Sequence, residues 1–172
     1  ANLENRLLLQ ILLQKETSVD VRYRLANALL APEIQASYAA IIFDMPPRMS
    51  IASVNALVAS DYLLVPTQAD PQSGETVAQF LALMQKIKSD LSLKLDLVGV
   101  VACMTSQTIS ASTNSQTGVV EFAGGTRAEK SSLTRVAAST SETWPGGTMI
   151  PVSIQRRAAF SNVAGAEVAY TQ

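Results

Sequence analysis

The sequence predicts an α/β fold, a mostly parallel sheet flanked by helices on both faces, in a single domain over residues 1–172. Three observations predict it. Short apolar runs alternate with segments of helical period, the order of a sheet threaded by helices. The runs Tyr38 to Phe43 and Leu97 to Cys103 are continuously apolar, as strands buried on both faces are. Hydrophobic residues make up 48% and charged residues 16%, with mean hydropathy +0.20, so there is apolar surface enough to cover such a sheet.

Each element has a local reason. Leu3, Leu7, Leu8, Ile11 and Leu12 recur at helical spacing, and Thr17-x-x-Asp20 has the form of a capping box for a second helix through Val21, Leu25 and Leu29. Pro32 is expected to end that helix. The run Tyr38 to Phe43 is expected as a buried parallel strand that stops at Asp44 and Pro46-Pro47. A helix follows from about Ser50 to Ala59, then a strand Tyr62 to Val65. Asp70-Pro71 caps a helix that turns Val77, Phe80, Leu81, Met84 and Ile87 inward, and Leu97 to Cys103 forms the next strand. Ser, Thr, Gln, Asn and Gly dominate residues 105–126, which are expected as a mobile exposed loop, with Val119 to Phe122 as a possible hairpin arm. Thr126-x-x-Glu129 is a capping box for a helix with Leu133 and Val136 inward, ended by Pro145-Gly146-Gly147. A strand at Thr148 to Ile150 and a closing helix carrying Phe160, Val163 and Val168 complete the order.

Composition excludes several chemistries. There is no histidine, so a Ser-His-Asp triad, a histidine-held metal and imidazole acid-base catalysis are impossible. Cys103 is the sole cysteine, which forbids an internal disulfide and makes the cytoplasm the expected location. The apolar runs fall short of the ~20 residues that cross a bilayer, and the first residues have no signal-peptide pattern, so no membrane partner is expected.

The stretch richest in motifs begins Tyr38-Ala-Ala-Ile-Ile-Phe-Asp44-Met-Pro46-Pro47-Arg48. It continues through Asn55-Ala-Leu-Val-Ala-Ser-Asp61 to Val65-Pro-Thr-Gln68. This run resembles, without a gap, the ParA-type partition ATPases of the deviant-Walker P-loop class, whose pattern is a hydrophobic strand, D-x-P-P, N-A-L-x-A-A-D and P-x-Q. The resemblance covers about residues 30–105 and extends less closely over 127–165. It implies a P-loop NTPase-like fold, Mg-ATP as cofactor, and Asp44 as the Walker B carboxylate acting on Mg²⁺ through water. A helix-capping or turn aspartate is the alternative for Asp44. Pro46 and Pro47 would form the loop that senses the terminal phosphate; otherwise they are strand terminators. Met104 would lie near the adenine, with core packing as its alternative and that of Cys103. Ile150-Pro151 matches the family's I-P beside the base, with Ser153 close behind.

The sequence also departs from that family. It has no glycine-lysine loop; Gly124-Gly125-Thr126-Arg127 and Gly146-Gly147-Thr148 lack the lysine and are expected as turns. Val152-Ser153 stands where the family often has R-N. A chain incomplete at its N-terminus, and inactive alone, is the expectation; a non-hydrolysing scaffold on a degenerate P-loop fold is the alternative. A relative of bacterial tyrosine kinases shares D-x-P-P, but only Tyr170 lies near the end here.

Charge is split along the chain. Residues 1–126 carry net −3 and residues 127–172 net +2. Arg127, Lys130, Arg135, Arg156 and Arg157 are therefore candidates for contact with DNA phosphates, with a solvated helix face as the alternative. The resemblance implies an ATP-dependent homodimer on non-specific DNA, a centromere-binding or cargo adaptor as partner, and a nucleoid-associated place in the cytoplasm.

Overall fold

The computed structural model describes residues 20–45, 49–116 and 119–156. The expected helix over Leu3 to Leu12, the cap residue Thr17 and the closing helix at Phe160, Val163 and Val168 lie outside them. The chain falls into two compact units, Ala1–Leu63 with Lys88–Asp96, and Leu64–Ile87 with Leu97–Gln172.

In the first unit a 3-10 turn, Val21–Tyr23, leads into α1 (Arg24–Leu29). Asp20 caps it, its Oδ1 accepting from Arg22 N at 3.0 Å. The same carboxylate accepts from Arg22 Nε at 2.8 and 2.9 Å and pairs with the guanidinium, which lets Arg22 sit buried. Helix α1 stops at Leu29, shortly before Pro32, as expected, but Pro32 does more than follow it. It occupies the first turn of a new one, α2 (Pro32–Ser37), where a missing N–H costs nothing.

After α2 the structure departs from the sequence expectation. Tyr38 to Phe43 forms no strand: Tyr38 is 64% and Ile42 92% exposed. No described strand pairs with this run. Apolar side chains alone do not make a strand, because its amides and carbonyls need a ladder partner.

Helix α3 (Ile51–Val58) falls within the expected bounds, with Ser50 Oγ accepting from Ser53 N at 3.2 Å. It buries Val54, Ala56 and Leu57. Asn55 faces the other way and joins three elements: its Oδ1 accepts from Leu25 N at 3.1 Å and its Nδ2 donates to Val21 O at 2.8 Å.

The five strands are β1 (Tyr62–Gln68), β2 (Asp96–Thr105), β3 (Ser110–Thr113), β4 (Val120–Ala123) and β5 (Met149–Gln155), in sheet order β1-β2-β5-β3-β4. The α/β class holds, and the sheet is mixed. β2 and β5 are parallel, whereas β3 runs antiparallel to both β4 and β5. The antiparallel part comes from the Ser/Thr-rich segment expected as a loop, which folds as the β3–β4 hairpin. Strand β5 also runs five residues past the expected Ile150, because β2 and β3 hold it from either side.

Helices α4 (Ser73–Asp90) and α5 (Arg127–Thr143) belong with this sheet. Asp70 Oδ1 accepts from Gln72 N and Ser73 N, each at 2.9 Å, at the entrance to α4. Val77, Leu81, Met84 and Ile87 are buried along α4, while Phe80 is only half-buried. Leu133 and Val136 of α5 are wholly enclosed, as their spacing requires, and each such side chain is worth about 1.5–3 kcal/mol. At Gly74 the two helices come close: a Cβ there would lie 3.1 Å from Arg135 Cβ, and Ser139 Oγ donates to Gly74 O at 3.1 Å.

Candidate functional site at the strand ends

Ligands of open α/β sheets gather at the carboxyl ends of the strands. In the second unit, β2 and β5 end side by side, with Thr105 paired to Gln155. Met104 is not in the core. It has φ +61 and is 55% exposed, a left-handed conformation uncommon for a long side chain. Thr105 is fully buried, and its Oγ1 lies 3.2 Å from Ser153 Oγ. Ser153 Oγ also accepts from Ile109 N at 2.7 Å. Ser153 is therefore held by the protein, and Pro151 is exposed on the same strand.

The next residue, Ser106, is tied to α5. Its N and Oγ donate to the two Glu129 carboxylate oxygens at 2.7 and 2.8 Å, while Thr126 N donates to Oε2 at 2.7 Å. Thr126 Oγ1 accepts from Glu129 N at 3.2 Å, completing the expected capping box. The bond from the Thr126 amide, and after it those from Ser106, hold the Glu129 carboxyl down at about 2, although partial burial acts the other way. Gln155 Nε2 donates to Ser106 O at 3.1 Å, and Arg156 N donates to Thr105 O at 2.9 Å. Sequence reasoning found Glu129 as a cap but missed its reach to Ser106, 23 residues upstream. Nothing local to the capping box encodes that contact.

The other candidates are spread out. Asp44 belongs to the first unit, exposed in the irregular segment after Phe43, not at the end of a buried strand. Pro46, Pro47 and Arg48 lie outside the described residues, as does Arg157. Arg127 and Arg135 are exposed on α5, Lys130 is half-buried between them in sequence, and Arg156 is exposed just past β5. Cys103 is half-buried on β2, and burial pushes its thiol pKa up, away from the reactive thiolate.

Among the described residues no three His, Cys, Asp or Glu side chains are placed to hold a metal. With no glycine-lysine loop in the sequence, these residues do not by themselves make a Mg²⁺ and phosphate site; Asp44 is a single exposed carboxylate. The first unit has a shallow concavity of about 690 Å³ between Val21, Leu25 and Ile51. Its amide, Asn55, is already engaged with backbone, so it offers little polar specificity. No described helix is long and apolar enough to cross a membrane.

Known proteins share both the sequence pattern and the architecture. The chain is 32% identical over 82 residues to the chromosome partitioning protein ParA of Caulobacter vibrioides, which is 48% of this chain and 31% of that protein. It is 33% identical over 98 residues to the sporulation initiation inhibitor protein Soj of Bacillus subtilis, 57% of this chain and 36% of Soj. The chain thus spans about a third of the length of the curated relatives it matches. The structure of Cyanthece apo McdA has the same fold, with TM-score 0.61 at 16% identity over 83% of this chain and 49% of that one. The family described as AAA domain matches residues 6–97, more than half of the sequence. With that match and those relatives, the chain belongs to the AAA domain family, as a member of the ParA type.

Proposed function

We propose that this chain is part of a ParA-like partition ATPase that uses Mg-ATP to position plasmid, chromosomal or other cargo. One observation carries the reading: the ungapped run from Tyr38 to Gln68, in which Asp44, Pro46-Pro47, Asn55, Asp61 and Pro66-x-Gln68 keep the spacing of that ATPase class. The matches to ParA and Soj support it. In this reading Asp44 is the carboxylate that orders water around Mg²⁺, since Mg²⁺ keeps most of its waters and takes one or two carboxylates. Pro46 and Pro47 stiffen the phosphate-side loop. Met104, Pro151 and Ser153 form the base side. The phosphate loop itself must come from residues that this sequence does not contain.

The complete protein would close as a homodimer on ATP and bind DNA phosphates non-specifically through Arg127, Lys130, Arg135, Arg156 and Arg157. A centromere-binding or cargo adaptor would be its partner, and it would reside on the nucleoid in the cytoplasm. The lack of a glycine-lysine loop favours a second reading, a non-hydrolysing scaffold with the same fold. Asp44→Asn in the complete protein separates the two: the ATPase reading requires ATP turnover to fall sharply with an unchanged melting curve. Unchanged turnover removes Asp44 from the site, and no turnover in the unaltered protein favours the scaffold.

A further inference from the structure

The strained residue at the end of β2 has more holding it than a strand end requires. Met104 projects into solvent with φ +61 while both residues after it are fixed. Thr105 is buried against Ser153 and takes the Arg156 amide on its carbonyl. Ser106 is bonded at N, Oγ and O, the first two by Glu129 and the last by Gln155. A left-handed conformation at a non-glycine residue is strained and persists only where neighbours over-determine it. Of those neighbours, the Glu129 carboxylate alone takes two bonds from Ser106, two residues past Met104, and it is anchored in turn by Thr126 N. Were its role only to cap α5, Thr126 and Glu129 would suffice, without Ser106.

We infer that Glu129 is the positioning residue that keeps Met104 turned outward to meet a planar base. The inference rests on the reading of Met104 as a base contact. It adds that a residue of α5, remote in sequence, sets the shape of that contact. The thioether suits the task, being polarizable and favourable against an aromatic ring. Glu129 touches no ligand; it acts through Ser106.

The test uses the 172-residue chain with ¹³C-methyl methionine and adenosine, a probe with the base and no phosphate. The Met104 methyl resonance is assigned by Met104→Leu. In the unaltered chain it shifts on titration with adenosine. Glu129→Ala weakens that titration by roughly tenfold, the loss expected for a small number of charge-assisted bonds. Glu129→Gln, with one acceptor oxygen in place of two, falls between. Thr126→Ala is the control: it removes the cap hydroxyl and lowers the melting temperature, but leaves Ser106 bonded to Glu129 and keeps the titration. Equal titration by Glu129→Ala and the unaltered chain overturns the positioning role, as does equal weakening by Thr126→Ala. A Met104 methyl in the unaltered chain that ignores adenosine, whether or not other signals respond, overturns the base contact itself.

Discussion

Gly99 lies where β2 meets β5, and its replacement by alanine isolates one packing contact. A Cβ at Gly99 would stand 2.9 Å from Ile150 Cγ1 and 3.0 Å from Thr148 O. That carbonyl is already the acceptor for Val100 N at 3.0 Å, so a methyl group presses on the parallel ladder itself. The backbone adds to the cost, because φ at Gly99 is +152, a region closed to other residues. Overpacking and backbone strain together give a loss of about 2–4 kcal/mol. Gly146 supplies the comparison. Its φ is +76 and a Cβ there meets nothing within 4 Å, so Gly146→Ala bears strain alone, about 1–2 kcal/mol. Urea unfolding of both variants measures the difference, and each kcal/mol moves the melting temperature by about 2–4 °C for a chain of this size. If Gly99→Ala loses no more than Gly146→Ala at an unchanged urea slope, the close approach of β2 and β5 is not what requires glycine there.

Four further outcomes are expected. Glu129 has a folded pKa of about 2 against an ordinary 4.5, so its stabilisation is whole above pH 4.5 and drains away as pH falls toward 2. Discounted for partial exposure this amounts to about 1–2 kcal/mol, and Glu129→Gln should flatten the stability lost over that window; an unaltered acid limb refutes it. Leu133→Ala, at a side chain with no exposure, should lose about 2–5 kcal/mol by urea unfolding, and a loss under about 1 kcal/mol would mean that the α5 face is not packed. Calorimetry on the 172-residue chain should find weak Mg-ATP binding or none, since a glycine-lysine loop would supply most phosphate contacts; micromolar affinity contradicts this. In the complete protein with ATP, Arg127→Glu and Arg156→Glu should weaken binding alike on unrelated DNA and reduce the salt slope by roughly one per lost contact, and an unchanged slope leaves both as solvated surface.

Elements that a few neighbouring residues determine were legible in the sequence. The Ser50 cap and the Thr126–Glu129 box start α3 and α5 where expected, because a side-chain oxygen three residues from an amide is a local fact. Elements that need a remote partner were not. Tyr38 to Phe43 has the composition of a strand but no described strand beside it, and Ser110 to Thr113 has no apolar period yet becomes a strand because β5 and β4 flank it. Pro32 is ambiguous by nature, since proline both follows helices and opens them. Of the candidate site, the motif Asn55 had been only a spelling; the structure gives it a task, joining α3 to the turn and helix before it. Met104 was weighed as core because apolarity is written in the sequence and a positive φ is not.

The β3–β4 hairpin also changes what the sheet presents to other molecules. With β3 beside it, β5 has no open side, and the exposed rim on that flank passes to β4, a strand of four residues. A rim so short offers an incoming strand few amides and carbonyls to continue, and Glu121 places a charge in the middle of it. Unwanted polymerisation through strand addition is thereby discouraged on this flank. The Ser/Thr-rich segment thus limits strand addition as well as extending the sheet, and lengthening β4 or neutralising Glu121 should make this flank more self-adhesive.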